Sequence, residues 1–329
     1  MATGGVPTRT DEESARRLVH VRSSLHAHAR LLADGVRNKA FHAALRKRVT
    51  PGCSVLDIGS GTGLWAVAAA LLGAERVVAV ERDEFLLPVI DRIARENGVA
   101  DRVQIAHGQS WDLDVDGPFD VVVSETIGNL GFEEEIVRVM LDAKSRFLSR
   151  GGSLIPERVK LVVAPAYSSE VAGKVPAGVA IRFGSFQSLR ANMPTVPTDR
   201  SALEFRAKPR TLLDVDLTTL EDAPDVGGLH ARWKLDDTRK LNCFAAWSTA
   251  TLVEGVRLST LRAPSWTPVV YPIEPLKGRR GSIDFTLSLS EAITFWTVRL
   301  SSSDGSESQS YSPVFAHTSL EAELQRLHG

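Results

Sequence analysis

Glu125 and Glu134 stand nine positions apart, the first closing the strand-like run FDVVVSE and the second inside the acidic triplet of TIGNLGFEEE. Two carboxylates facing one another across a loop can hold a cation by charge-assisted hydrogen bonds. A carboxylate at a strand end is costly if buried alone, so Glu125 implies a cationic partner or solvent. The spacing leaves a plainer use open for Glu134, as an acid in the first turn of a helix, which Glu133 and Glu135 serve equally well.

A second constellation lies in VLDIGSGTGLW, where Gly59, Gly61 and Gly63 follow four strand-like residues. A dinucleotide fingerprint requires a third small residue where this chain has Leu64. Glycine at these positions allows positive φ and close approach of a ligand lying across the strand end, and a ribose with an amino-acid tail fits as well as a pyrophosphate. About 20 residues further on, VVAVE ends at Glu81, placed to accept from ribose hydroxyls.

The elements that must position these residues alternate. VLDI, a helix over 64–72, RVVAVE, a helix over 83–97, RVQIAHG, FDVVVSE and a helix over 133–148 predict an open parallel sheet with helices on both faces. Ligands of such sheets bind beyond the carboxyl ends of the strands. Before this unit, a polar tail to about Glu13 precedes two amphipathic helices. After Gly151-Gly152 the runs LIPERVKLVVAPA, LLDVDLTTL, GLHARWKL, LNCFAAWSTATLV, TPVVYPIEPL, SIDFTLSLS and TFWTVRLSS predict an all-β unit, with SLEAELQRLHG as a short final helix closed by glycine. Residues 166–209 alternate poorly and hold several prolines, which predicts a partly helical insertion. The expected domains are residues 1–50 as tail and helices, 51–163 as the ligand-binding sheet domain, and 164–329 as the β unit with its insertion.

With 329 residues, 43% of them hydrophobic and 24% charged, the chain can bury a large core. A net charge of -1 argues against general nucleic-acid binding. Cys53 and Cys243 form no disulfide framework and no metal-ligand spacing, which predicts a reducing, cytoplasmic setting without metal. No apolar run is long enough to span a bilayer, so no membrane partner is expected.

With Asp57 before it and Glu81 after it, the glycine turn resembles the S-adenosylmethionine site of class I methyltransferases. SETIGNLGFEEEIVRVMLDAKSRFLSRGGSLIPERVKLVVAPA resembles the protein arginine methyltransferase family, whose loop has S-E-x-x-G, a second Glu nine residues after the first, a helix and G-G-x-x-x-P. LLADGVR resembles the helix that supplies an arginine to the cofactor carboxylate, which falls on Arg37, and His28 aligns with a family histidine near the cofactor. The resemblance covers residues 18–301. It implies a class I methyltransferase (Rossmann-like) α/β sheet, a C-terminal β-barrel domain and an arm-like insertion. It further implies S-adenosyl-L-methionine as cofactor, Glu125 and Glu134 as the catalytic pair, and a homodimer joined through the arm.

Several family features are absent. The two tyrosines of the N-terminal helix have no counterpart in LVHVR, the loop's Trp-Met pair is Thr126-Ile127, and the barrel's His-Trp pair is Ser265-Trp266. The adenine-binding Glu is displaced, leaving Ser110, Trp111 and Asp112 in that neighbourhood. The cofactor elements are thus mostly kept while those lining the acceptor, Thr126, Ile127, Ser265 and Trp266, are partly rebuilt. The expected reaction is methylation of a guanidine or amine nitrogen on a small molecule or peptide. Methylation of an oxygen or carbon of a metabolite, methylation of protein arginine, and a non-catalytic binding protein are the alternatives. His20, His26, His28 and His42 offer no ligand pair at helical spacing, and Arg46-Lys47-Arg48 suits a solvated helix end.

Overall fold

The computed structural model describes residues 9–173, 178, 180–289, 294–303 and 305–328. The start of the expected polar tail, part of the insertion and the terminal Gly329 lie outside the described residues. The chain divides into two compact units.

The first unit comprises residues 1–125, 142–155 and 263–265. It contains α1 (Arg9–Ala33), α2 (Gly35–Arg48), β1 (Ser54–Ile58), α3 (Leu64–Leu71), β2 (Arg76–Glu81), α4 (Leu87–Glu96), β3 (Val103–His107), β4 (Phe119–Ser124) and β5 (Leu148–Ile155). The five strands are parallel in the order β3-β2-β1-β4-β5. Val55, Leu56, Val77, Ala79, Val122 and Val123 are fully buried, so consecutive residues of the central strands are covered on both faces. This is the expected doubly covered sheet, and it delivers the ends of β1, β2 and β4 to one edge.

Three boundaries differ from those read in the sequence. α1 already starts at Arg9, so the polar tail is shorter than the run to Glu13 suggested. α4 begins at Leu87 because Asp83 caps a turn, its Oδ1 accepting from the amide of Phe85 at 3.1 Å. The helix expected over 133–148 is α5 (Ile136–Arg146), and Leu148 opens β5. Glu135 has φ 64°, a left-handed conformation that cannot continue a helix, so Glu133 and Glu134 precede the first turn. The plain helix-dipole role for Glu134 therefore falls away.

The second unit comprises residues 126–141, 156–262 and 266–329. Its strands are β6 (Arg158–Ser168), β7 (Leu203–Phe205), β8 (Arg210–Asp216), β9 (Leu229–Leu235), β10 (Cys243–Val253), β11 (Val256–Ser259), β12 (Val269–Pro272), β13 (Gly281–Leu289), β14 (Thr294–Ser302) and β15 (Gly305–Tyr311). They form antiparallel sheets of six and four strands. Burial along β9 alternates strictly, as the period of a half-covered strand requires. Phe244 stacks on Phe285 with centroids 4.4 Å apart, and Tyr271 meets Trp296 edge-on at 5.3 Å. These rings fill a shared core, so both sheets belong to one barrel-like body. The insertion carries α6 (Ser169–Ala172) and α7 (Gly184–Ala191), and the chain's last helix, α8 (Pro313–His328), starts earlier than SLEAELQRLHG implied. β7, β11 and β15 were not expected, since each is short or rich in serine and glycine.

Candidate cofactor site

β1 runs into a turn where Gly59, Gly61 and Gly63 have φ of 72°, 56° and 80°. Left-handed backbone is costly for residues with a Cβ. Space is closed as well, because a Cβ on Gly63 would lie 2.9 Å from Ile90 Cγ2 and one on Gly61 would lie 2.8 Å from His28 Nε2. The turn therefore packs against α4 on one side and against His28 of α1 on the other. His28 Nδ1 donates to the carbonyl of Ser24 at 2.8 Å, which fixes the ring and leaves Nε2 facing the glycines.

Asp57 is fully buried at the end of β1. Its Oδ2 accepts from Ser60 Oγ at 2.6 Å and from the amide of Ala66 at 2.9 Å, tying the strand to the start of α3. Oδ1 has no partner among the described residues, and burial pushes the carboxyl up to about 7. Glu81, at the tip of β2, accepts from the amide of Gly61 at 2.7 Å and from that of Asp83 at 2.8 Å. Each carboxylate oxygen has two lone pairs, so both retain capacity to accept from a ligand hydroxyl.

Arg37 in the first turn of α2 donates from Nε to Glu125 Oε2 at 2.8 Å and from Nη2 to the same oxygen. Its Nη1 donates to Asn38 Oδ1 at 2.8 Å, and the guanidinium lies 5.3 Å from the Trp65 ring centroid. Ser110, Trp111 and Asp112 form a single 3-10 turn after β3. Ser110 is buried, and its Oγ has no partner among the described residues. The turn is held by Arg146, which donates to the carbonyls of Ser110 at 2.6 Å and Leu113 at 2.9 Å.

One unit thus holds His28, Arg37, Asp57, the three glycines, Glu81, Ser110, Trp111, Asp112, Glu125 and Ser265. The other holds Thr126, Ile127, Glu134 and Trp266. There Ile127 and Trp266 are buried and Glu134 is exposed. The loop between them is braced by Asn129, whose carbonyl accepts from Ser248 N at 3.0 Å and Thr260 Oγ1 at 3.0 Å. Glu133 folds back to accept from Leu130 N at 2.7 Å, and desolvation raises its pKa.

Sequence reading missed Asp34, Asp83 and Arg146. Asp34 caps α2, and an Asp before Gly at a helix start is a signal that could have shown it. Asp83 accepts from Ser24 Oγ at 3.0 Å and pairs with His20 Nε2 at 3.0 Å, fastening α1 to the tip of β2. No local pattern announces such long-range contacts. Among the described residues no group of three or more His, Cys, Asp or Glu could hold a metal, and no helix is long and apolar enough to cross a membrane.

Residues 42–156 match the family described as Ribosomal protein L11 methyltransferase (PrmA). A probable protein arginine N-methyltransferase 6.2 of Oryza sativa subsp. indica is 32% identical over 149 residues, 45% of this chain. The match spans only 38% of that relative's length. An arginine N(omega)-methyltransferase of Streptomyces achromogenes subsp. streptozoticus is 28% identical over 283 residues, covering 80% of this chain and 78% of the relative. The Trypanosoma brucei PRMT1 enzyme-prozyme heterotetrameric complex with AdoHcy superposes with TM-score 0.74 at 19% identity, covering 87% of this chain and 97% of that one. Arabidopsis thaliana protein arginine methyltransferase 10 gives a TM-score of 0.70 at 18% identity. The chain is therefore similar to the arginine methyltransferases along both units and has the protein arginine methyltransferase-like fold, a class I methyltransferase sheet with a β-barrel unit.

Proposed function

We propose that the protein is an S-adenosylmethionine-dependent methyltransferase acting on a guanidine or amine nitrogen of a small molecule or peptide. The observation that carries this reading is the convergence, at one edge of the parallel sheet, of the left-handed glycine turn, Glu81 and the Arg37–Glu125 pair. The residues fit the cofactor. Gly59, Gly61 and Gly63 hold the left-handed turn at the end of β1, and Asp57 Oδ1 and Ser110 Oγ are buried polar atoms without partners among the described residues. Buried polar atoms of that kind need a ligand or water. In this reading Glu81 accepts from the ribose hydroxyls, Arg37 meets the carboxylate of the amino-acid tail, and Ser110, Trp111 and Asp112 border the adenine.

When bound, S-adenosylmethionine supplies a methyl group on an already activated sulfonium. The chain's own task is then alignment, which can account for about 7–11 kcal/mol of a barrier. Glu125 and Glu134 hold and orient the cationic acceptor, and one of them takes its departing proton. Thr126, Ile127, Ser265 and Trp266 shape the acceptor's surroundings. Their difference from the family pattern favours a small acceptor over protein arginine. Oxygen or carbon of a metabolite and protein arginine are the readings that a substrate panel separates from it.

We further assign a homodimer joined through the insertion of residues 166–209, in a cytoplasmic setting. Phe183, Phe186 and Met193 expose 40%, 48% and 45% of their surfaces on that insertion, more than a solvated segment favours. Turnover of S-adenosylmethionine against free guanidines, amines, peptides and histones tests the reading. Methylation of small guanidines or amines supports it, and rapid methylation of histones alone contradicts its acceptor half.

A further inference from the structure

Asp34 is 1% exposed, and its carboxylate accepts four hydrogen bonds. Oδ1 takes the amides of Val36 at 3.0 Å and Arg37 at 2.9 Å, capping α2. Oδ2 takes both the amide of Ser265 at 2.9 Å and its hydroxyl at 2.6 Å. The carbonyl of Ser265 accepts in turn from Arg30 of α1 at 3.3 Å. Residues 263–265 belong to the same compact unit as α1 and α2, although the chain on either side of them belongs to the other.

The consequence concerns Arg37. Its own amide is one of the two groups that Asp34 caps, and its guanidinium goes on to Glu125, so the chain of contacts runs from Ser265 through Asp34 and Arg37 to Glu125. The hydroxyl proton is committed to a buried carboxylate, so Ser265 has none to donate to a methyl acceptor. We propose that Ser265 is a positioning residue for the methyl-donor site, acting through Asp34 on Arg37, and that it donates no hydrogen bond to the methyl acceptor. This rests on the reading of the first unit as an S-adenosylmethionine site.

The test is calorimetric titration of S-adenosylmethionine into wild type, Ser265→Ala, Ser265→Thr and Ser265→Val, with folding of each checked by near-ultraviolet circular dichroism. Loss of one hydrogen bond to a charged group, partly passed on to Arg37, predicts about fivefold to tenfold weaker binding by the Ala variant. Threonine keeps the hydroxyl and is expected to bind within about twofold of wild type, whereas the equally branched valine is expected to match alanine. Unchanged affinity in Ala and Val, or an equal loss in Thr and Val, overturns the proposal. Should Ala fail to fold, the Thr and Val pair decides alone. Failure of wild type itself to bind overturns the cofactor reading and this proposal with it, whereas binding by wild type with no dependence on the hydroxyl overturns the proposal only.

Discussion

Arg37 donates through two nitrogens to a single oxygen of Glu125, and each side chain is only 6% exposed. A buried pair of this kind is costly to break from one side, by about 3–5 kcal/mol, because the remaining charge is left without its partner. The two glutamates singled out by spacing are therefore expected to behave differently. Glu134→Gln should lower turnover by orders of magnitude with S-adenosylmethionine affinity unchanged. Glu125→Gln should lower turnover and also lower both the melting temperature and cofactor affinity. Steady-state kinetics beside calorimetry separates the two, and wild-type rates in both variants would end the carboxylate-pair reading.

Glu81 bridges the amides of Gly61 and Asp83 and is left with lone pairs for a ligand. Glu81→Ala is expected to weaken cofactor binding by roughly 1.5–3 kcal/mol, the usual worth of a hydrogen bond to a charged group. Titration of the folded variant with S-adenosylmethionine measures this. Unaltered affinity would exclude the ribose role.

The glycine turn offers a test of packing. Gly61→Ala meets His28 and must adopt φ near 56°, whereas Gly63→Ala meets Ile90 at φ near 80°. Each should cost about 1–3 kcal/mol, the range for strained backbone. Adding His28→Ala should recover part of the Gly61→Ala loss and none of the Gly63→Ala loss, because contacting pairs couple and distant ones add. Urea denaturation of the single and double variants reads the coupling.

How much of this was legible beforehand depends on range in sequence. The βα alternation around VLDI and RVVAVE, the glycine turn and Glu81 are local patterns, and the parallel sheet follows from them. Strands β7, β11 and β15 were missed because they are short or carry Gly and Ser where a strand usually has β-branched residues. The start of α5 was misplaced because three consecutive glutamates suit a helix, while Glu135 takes a left-handed conformation that its residue type does not announce. Ser265 could be aligned from sequence but its hydroxyl could not be aimed, since its partner Asp34 lies 231 positions away.

Asp57 gives the apoprotein a pH signature. Its carboxyl is raised from 3.8 to about 7 by burial, so the folded state holds the proton more tightly than the unfolded state. That contribution to stability is fully present below the unfolded value and is lost as the pH rises through about 7. Asp57→Asn should therefore show a flatter dependence of stability between pH 4 and 7 than wild type. Denaturant midpoints across that range check it, and parallel profiles would contradict the assignment.

The central claim is that the edge of the parallel sheet binds S-adenosylmethionine, and calorimetric titration of the wild-type chain tests it most directly. One saturable site per chain for S-adenosylmethionine, with no heat from a nicotinamide dinucleotide, is the expected result. Absence of binding, or tighter binding of the dinucleotide, would contradict it.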